Sequence, residues 1–518
     1  MSEAREELPF RPRLLLPGIV LAAALGLCAS TLPFADARQC YQGSVVAAVT
    51  ALCAFCWLTG ALPLAPASLL PLALLPLLGA LPTRVVAPSY ADPITWMFFG
   101  GFVLALAIER AQLHRRIALR TIALFGVRPR RLVLGFLVAA VAISMWINNT
   151  AVSLMLLPIG WATVSRVEAE GLLPQAAARR FGVALLLAIA WGASIGGIAT
   201  PIGTAPNLIF FSVYQPLVAA GKAAPVSFLH WMLAFTPFAL LLTAVTYGLL
   251  ALWFRLPAGD DRAGRAVLDE ARALPPMRQA EWSVLIVFVL VVLAWITRGE
   301  FTLGGGVAVP GTGWGRWPEA AFGLARDRDE FVLDGSIAIL LMALLFVLPM
   351  QGLRGPRLMD WETARRMPLE ILFLIGGGVA IASAFDKSGL SAAVGKAIAP
   401  LLGAVPPLVA VGAVALLLVA LTEFTSNTAI NSLMLPILAS IGQAADLDPR
   451  LLMLTCTVAA SCGFALPIGT PPNTVVFATG RIRIGQMVGP GLVLDLLSAA
   501  LLTAWMAFWV VPILGIRR

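Results

Sequence analysis

A polar segment inside an otherwise apolar stretch occurs twice in this chain. The first copy is SMWINNTAVSLMLLPI, Ser144 to Ile159, and the second is TEFTSNTAINSLMLPI, Thr422 to Ile437. Aligned on their shared Asn-Thr-Ala, both copies end in Leu-Pro-Ile. Each is followed by a second matching piece, ATPIGTAPNLIF in the first half and ALPIGTPPNTVVF in the second. Two polar motifs in the same order in both halves predict an internal structural repeat around a binding site.

The composition indicates a membrane protein. The chain of 518 residues is 59% hydrophobic and only 12% charged, whereas a soluble domain carries about 25% charged residues. Apolar runs of about 20 residues, enough to cross a bilayer, recur along its length. We therefore expect an all-α polytopic membrane protein with about eleven transmembrane helices plus two re-entrant hairpins. The net charge of +9 is spread over the loops between spans, which argues against a nucleic-acid partner.

The spans and motifs divide the chain into two similar halves. We expect an N-terminal segment with the first span at 1–41, a first half at 42–255, a cytoplasmic loop at 256–281 and a second half at 282–518. The hairpins are expected at about 131–166 and 406–445, broken helices at about 181–214 and 450–479, and an external loop at 298–332. A bilayer tolerates a broken helix only where the freed backbone lines a cavity or binds something.

Lysine and arginine are concentrated in alternate loops, which places the N-terminus in the cytoplasm and the C-terminus outside. An odd number of spans then puts the halves in opposite orientation, so hairpin one enters from the cytoplasm and hairpin two from outside. The basic stretch 113–124 separates arginines and apolar residues by face, and we expect it to lie flat in the membrane interface.

The motifs suit a dianion. Asn149-Thr150 and Asn427-Thr428 are expected to cap new helices at the hairpin tips. Each broken helix is expected to restart at a proline, which is Pro206 in the first half and either Pro471 or Pro472 in the second. Each helix N-terminus is equivalent to roughly half a positive charge. Four such termini could bind a dianion without lysine or arginine, and none lies within the motifs.

The same motifs offer oxygens to a small cation such as sodium. These oxygens lie at Ser144, Asn148, Asn149 and Gly203 in the first half, and at Thr422, Thr425, Ser426, Asn427 and Gly469 in the second. The alternative is that small polar residues only mediate close helix packing. Glu423, where the first copy has Met145, could serve cation or proton coupling or could be a hydrogen-bonded structural acid. We expect Asp495 to be structural.

These residues resemble the divalent anion/sodium symporter family, the dicarboxylate, citrate and sulfate carriers. Its hallmark is Ser-Asn-Thr at two hairpin tips and a G-T-P-P-N type segment in the following broken helix. Ser426-Asn427-Thr428 and Gly469–Asn473 match fully. The resemblance implies a homodimer with an elevator mechanism, in which the hairpins and broken helices slide against a fixed scaffold. It implies substrate contacts from Asn149, Thr150, Asn427, Thr428, Thr204 and Thr470. It implies sodium near Ser144, Asn149 and Gly203, and near Thr422, Asn427 and Gly469.

The first copy departs from the family pattern, with Asn148 in place of serine and Ala205 in place of proline. We therefore expect an altered first sodium site. The leading hypothesis is a sodium-coupled importer of a small dianion, a C4-dicarboxylate such as succinate or malate, in a bacterial inner membrane. The alternatives are a sodium-independent dicarboxylate exchanger, or a citrate or sulfate carrier. An enzyme is not expected, because we find no H-E-x-x-H motif and expect neither a G-x-S-x-G motif nor paired acids near the midplane. No covalent cofactor is expected.

Overall fold

The computed structural model describes residues 11–257, 261–299, 302–303, 307–308, 312–323, 332–352, 354–402, 406–445 and 447–516. These residues are helical except for loops and two short antiparallel strands, Thr302–Leu303 and Val307–Ala308. Nine of the described helices are long and apolar enough to cross a membrane, and four shorter apolar helices accompany them. The all-α membrane fold is therefore confirmed, while the count of about eleven transmembrane helices stays a prediction.

The two polar motifs lie in two helical hairpins. Hairpin 1 consists of Pro129–Ser144 and Asn149–Ala169, and hairpin 2 of Pro407–Thr422 and Asn427–Ala444. Both first arms begin with proline, which suits the first helical turn because its missing N–H has no partner there. Each polar triplet lies where the chain turns from one arm into the next.

Each hairpin is followed by a helix that breaks and restarts. Broken helix 1 consists of Gln175–Ile198 and Ala205–Ala219, joined by break 1 (residues 199–204). Broken helix 2 consists of Pro449–Ala459 and Pro471–Phe477, joined by break 2 (residues 460–470). Proline occupies the first turn after each break.

The remaining described helices surround these elements. Before hairpin 1 they are Leu15–Ala29, Ala37–Thr59, Leu64–Leu77, Thr83–Val86, Pro93–Arg110 and Leu113–Phe125. Within residues 256–368 they are Arg265–Arg272, Gln279–Arg298, Trp317–Phe322, Asp334–Val347 and Trp361–Ala364. Leu369–Lys387 and Leu390–Leu402 precede hairpin 2. Phe228–Trp253 follows broken helix 1, and Ile484–Trp505 follows broken helix 2 and continues through the π-helical turn Met506–Val510 into Val511–Ile513.

Gln175–Ile198 forms the centre of the core. Every residue from 181 to 198 is buried, as a helix surrounded by protein requires when it is apolar on all faces. Both arms of hairpin 1 pack against it, and both arms of hairpin 2 pack against Pro449–Ala459. The halves also interlock. Ala205–Ala219 packs on the second arm of hairpin 2, and Pro471–Phe477 packs on the second arm of hairpin 1.

Two helices differ from the expectations. Leu113–Phe125 packs on hairpin 1, and its Arg116 is 4% exposed and binds Glu281 through two hydrogen bonds of 2.6 and 3.1 Å. Arg116 therefore lies on the buried face of this helix with the apolar residues, not on a separate basic face. That the helix lies flat in the membrane interface stays a prediction. Burial also lowers the pKa of His114 on this helix. Leu390–Leu402 takes the corresponding place in the second half and was not predicted, because its sequence lacks the basic face.

Candidate functional site

At the tip of hairpin 1, Asn149 joins the turn to break 1. Ser144 Oγ lies 2.7 Å from the Asn149 amide. The amide is best satisfied with its nitrogen facing Ser144, because it then also donates to the carbonyls of Ala193 at 3.2 Å and Gly203 at 3.3 Å. Gly197 leaves room for this contact, since a Cβ there would lie 2.7 Å from Asn149 Oδ1. Three of the four residues expected in the first cation site, Ser144, Asn149 and Gly203, therefore lie in contact at this tip.

The helix cap at this tip lies one residue earlier than expected. Asn148, not Asn149 or Thr150, is the N-cap, and its Oδ1 accepts a hydrogen bond of 2.9 Å from the backbone N–H of Thr150. Asn149 is the first residue of the helix. At hairpin 2 the cap position belongs to Ser426, which makes no side-chain cap bond in the described structure. The departure at Asn148 thus places a helix cap where the second half has an exposed serine hydroxyl.

At the tip of hairpin 2, the Thr422 hydroxyl lies close to two other oxygen atoms. Its Oγ1 makes a short hydrogen-bond contact with Asn427 Oδ1 and lies 2.8 Å from the carbonyl of Ala460. A hydroxyl has one proton and cannot donate to both. Either the Asn427 amide is turned so that its nitrogen donates to Thr422, or the oxygens are arranged for a ligand that supplies positive charge. Hydroxyl, amide and backbone oxygens are the ligands that hard cations prefer.

In both breaks a threonine lies at the N-terminus of the restarted helix, and its hydroxyl does not cap that helix. Thr204 and Thr470 take the N-cap positions of the restarted helices, and neither makes a side-chain cap bond among the described residues. Thr470 Oγ1 is buried and has no hydrogen-bond partner within the described chain. The preceding glycines are in close contact: a Cβ on Gly203 would lie 2.5 Å from the Gly197 carbonyl. A Cβ on Gly469 would lie 3.1 Å from Glu423 Oε2.

Sequence reasoning missed the asparagine that ends each G-T-x-P-N segment. Asn207 Nδ2 donates to the carbonyls of Gly197 at 2.9 Å and Thr200 at 2.8 Å. Asn473 Nδ2 donates to the carbonyls of Gly463 at 3.3 Å and Leu466 at 3.1 Å.

The two sets of partners are equivalent in the aligned halves. Each asparagine therefore holds the carbonyls that its break leaves without helical partners, as a buried backbone requires. The recurrence of asparagine in both motifs was the signal that could have found it.

Contacts between the halves bring the motifs together. Asn431, in the second arm of hairpin 2, donates to the carbonyl of Pro206 at 2.8 Å. Trp191, in broken helix 1, donates through Nε1 to the carbonyl of Phe464 in break 2 at 3.1 Å. Asn431 is fully buried, and the first copy has Ser153 in its place. Each broken helix therefore contacts an element of the opposite half.

Glu423 is buried and hydrogen-bonded. Its carboxylate accepts from the backbone N–H groups of Ala465 at 2.9 Å and Leu466 at 2.5 Å. It also faces the carboxyl group of Asp495, so the expectation of no paired buried acids was wrong. These contacts describe the setting of a structural acid, and a role in coupling stays a prediction.

The residues of the two hairpin tips are partly accessible to solvent. Asn149, Thr150, Asn427 and Thr428 are half-buried, and Asn148 and Ser426 are exposed. Thr425 Oγ1 donates a hydrogen bond to the Leu421 carbonyl of the first arm of hairpin 2 at 2.8 Å.

A G-x-S-x-G motif is present after all, at Gly192–Gly196. It lies inside the continuous helix Gln175–Ile198, not at the strand-to-helix turn that a nucleophile elbow requires.

Comparisons with known proteins agree with this architecture. The family model described as the sodium:sulfate symporter transmembrane region matches residues 16–516. The sodium-dependent dicarboxylate transporter SdcS of Staphylococcus saprophyticus is 38% identical over 484 residues, which cover 92% of this chain and 88% of that protein.

The protein of the same name from Staphylococcus aureus (strain bovine RF122) is 36% identical over 526 residues, which cover 99% of this chain and 95% of that protein. Among solved structures, the YdaH transporter of Alcanivorax borkumensis is similar in fold. The TM-score is 0.52 at 17% identity, covering 82% of this chain and 87% of that one.

Proposed function

Since this chain belongs to the sodium:sulfate symporter family, we propose that it is a secondary active transporter that imports a small dianion together with sodium. The substrate is a C4-dicarboxylate such as succinate or malate. The names of the similar staphylococcal transporters, which are sodium-dependent and act on dicarboxylates, support both parts of this proposal. A transporter, not an enzyme, is also what the broken helices and paired hairpins suit.

The observation that carries the proposal is the matched pair of tips and breaks. In each half, the asparagine that begins the second arm of the hairpin contacts the hydroxyl of the residue that ends the first arm. These pairs are Asn149 with Ser144, and Asn427 with Thr422. At the following break, a threonine occupies the N-cap position of the restarted helix without making a side-chain cap bond. Exposed helix termini favour negative charge, and the oxygens beside them favour a cation. One site can therefore hold a dicarboxylate and sodium side by side.

We assign the roles as follows. The dicarboxylate is bound by Asn149, Thr150, Thr204, Asn427, Thr428 and Thr470. Sodium is bound near Ser144, Asn148, Asn149 and Gly203 in the first half, and near Thr422, Ser426, Asn427 and Gly469 in the second. Asn148 Oδ1 accepts the cap hydrogen bond from Thr150, and the Asn148 backbone carbonyl accepts one from the N–H of Val152 at 3.1 Å. Each of these oxygens keeps a second lone pair that sodium can use. Glu423 adds negative charge beside the second cation position.

The broader arrangement is proposed on the same basis. The protein lies in a bacterial plasma membrane with its N-terminus in the cytoplasm and its C-terminus outside. It works as a homodimer in which the hairpins and broken helices move as a unit. The close packing of each hairpin on its own broken helix and on the opposite one supports such a unit.

The experiment is uptake of radiolabelled dianions into proteoliposomes that contain the purified protein. A panel of succinate, malate, tartrate, citrate and sulfate is tested with an inward sodium gradient and with a potassium gradient of equal strength. We expect sodium-driven accumulation of at least one C4-dicarboxylate. Accumulation of sulfate or citrate alone would contradict the substrate class, and equal uptake under both gradients would contradict sodium coupling.

A further inference from the structure

Asp495 lies outside both hairpins and both broken helices, in the helix Ile484–Trp505, yet it is only 4% exposed. An acid buried at membrane depth is costly unless it is hydrogen-bonded. Its Oδ1 accepts a hydrogen bond of 2.9 Å from the backbone N–H of Phe464 in break 2. The helix therefore reaches into the break through this side chain.

Asp495 and Glu423 together satisfy three consecutive backbone N–H groups of break 2. Phe464 donates to Asp495, while Ala465 and Leu466 donate to the two oxygens of Glu423. These N–H groups have lost their helical partners because the helix ends at Ala459. The two carboxyl groups, which face each other, thus fix the backbone of the break from two different helices.

The helix around Asp495 is fitted closely to the break. Gly491, one turn earlier on the same face, leaves no room for a side chain: a Cβ there would lie 2.4 Å from Ala465 Cα and 2.6 Å from the Phe464 carbonyl. Hydrogen bonding at Asp495 and backbone contact at Gly491 therefore set the position of the same three-residue segment.

This segment leads directly to the proposed second cation position. Glu423 follows Thr422, and a Cβ on Gly469 would lie 3.1 Å from Glu423 Oε2 and 3.3 Å from its Cα. A shift of residues 464–466 would move Glu423, and with it the relation between Thr422 and Gly469.

The first half uses the equivalent helix in the same way but with opposite polarity. In Phe228–Trp253, Trp231 Nε1 donates to the carbonyl of Ile198 at 3.0 Å and Thr236 Oγ1 donates to the carbonyl of Ala199 at 2.9 Å. Side-chain donors hold the carbonyls of Ile198 and Ala199 at the start of break 1, and a side-chain acceptor holds an N–H of break 2. The helix that follows each break therefore positions it in both halves.

We propose that Asp495 is a positioning residue for the second cation site, acting through the backbone of Phe464–Leu466 and Glu423. It touches neither substrate nor sodium. This inference rests on the proposed function, because it concerns a cation site that the proposal assigns. This role requires a side chain at position 495 that accepts a hydrogen bond and has the shape of aspartate. It does not require a negative charge there.

The test compares Asp495→Asn with Asp495→Ala in proteoliposomes. The amide oxygen of asparagine can still accept from Phe464, and its nitrogen can donate to Glu423, whereas alanine can do neither. We expect Asp495→Ala to raise the sodium concentration for half-maximal uptake about fivefold or more, with a smaller change in substrate KM at saturating sodium. Asp495→Asn should stay within about twofold of wild type.

Ser498→Ala is the matched control, because the Ser498 hydroxyl lies on the same helix and bonds to the Asp495 carbonyl of that helix at 2.8 Å. It should leave the sodium curve unchanged. If Asp495→Ala cannot be purified as a monodisperse protein, Asp495→Ser replaces it, since its shorter side chain cannot reach Phe464.

An asparagine variant as impaired as the alanine variant would show that the charge itself is used and would overturn the positioning role. Wild-type sodium curves in the asparagine and alanine variants would overturn it as well. If uptake by the wild type does not depend on sodium, the proposed function is contradicted, and there is no sodium site for Asp495 to position. A sodium-dependent wild type with unaffected variants contradicts only this inference.

Discussion

The hydroxyl of Thr200 in break 1 donates a hydrogen bond to the backbone carbonyl of Met145 at the tip of hairpin 1. The same two positions meet in the second half, where the backbone N–H of Leu466 donates to the side chain of Glu423. Side chain and backbone have exchanged roles between the halves, but the tether joins the same places. Each hairpin tip is thereby held to its own break.

Removing the tether of the first half should weaken the site. Thr200→Val keeps the shape of the side chain but leaves the partly buried carbonyl of Met145 without its donor, at a cost of about 1 kcal/mol. We expect a lower midpoint of thermal unfolding in detergent and a higher sodium requirement for uptake. Thr200→Ser, which keeps the hydroxyl, is the control. Equal behaviour of the valine and serine variants would show that the tether contributes nothing.

The tip of hairpin 2 should be essential for binding. Asn427→Ala removes a half-buried amide that contacts Thr422, and Thr428→Ala removes the half-buried hydroxyl of the next residue. Loss of one such hydrogen bond is expected to weaken apparent affinity about 5- to 150-fold, equivalent to about 1–3 kcal/mol. Substrate KM and sodium half-saturation in proteoliposomes measure this. Both variants transporting with wild-type affinity and rate would contradict the assignment of the tip to the site.

The two asparagines that hold the breaks should depend on their amide nitrogens. Asn473→Asp has nearly the same shape, but its oxygens cannot donate to the carbonyls of Gly463 and Leu466. We expect loss of stability of about 2 kcal/mol or more and at least tenfold weaker uptake. Asn207→Asp should act alike in the first half. Asn473→Gln keeps the donor but lengthens the side chain, so partial activity there with none in the aspartate variant would support the role of the donor.

The tolerance of position 148 should follow helix capping. Asn148→Ser preserves a good N-cap and should leave folding intact, whereas Asn148→Ala should cost about 1 kcal/mol of stability. If the bulk of asparagine weakens the first cation site, the serine variant should in addition show steeper sodium dependence of uptake. A sodium curve for Asn148→Ser that superimposes on wild type would show that the departure at this position affects the cap alone.

The sequence predicted the fold well where strong local signals exist. Apolar runs marked the spans, and proline and glycine marked the breaks, because these residues interrupt helical hydrogen bonding wherever they occur. Leu390–Leu402 gave no such signal, since its only charge is Lys396. Arg116 was misplaced because its ion partner, Glu281, lies 165 residues away in sequence, and no local pattern reports a contact at that separation.

The repeated motifs predicted where the chain turns at each hairpin and where each broken helix restarts, but not which residues hold these places together. The assignment of the tip residues and of the two threonines to a binding site stays a prediction. Asp495 stands alone in an apolar helix, and its role depends on facing the N–H of Phe464, a tertiary relation. The contact of Asn431 with Pro206 likewise joins opposite halves, and the first copy has serine at that position. Residues that act through long-range contacts require the structure.

Counterflow of radiolabelled succinate tests the central claim, that dianion and sodium share one site, most directly. Proteoliposomes loaded with unlabelled succinate are placed in labelled succinate, with equal sodium on both sides or with none. We predict rapid exchange in sodium and little without it, because the substrate binds only beside the cation, and Asn427→Ala should reduce the exchange in sodium. Full exchange in the absence of sodium would contradict the account and identify the protein as a sodium-independent exchanger.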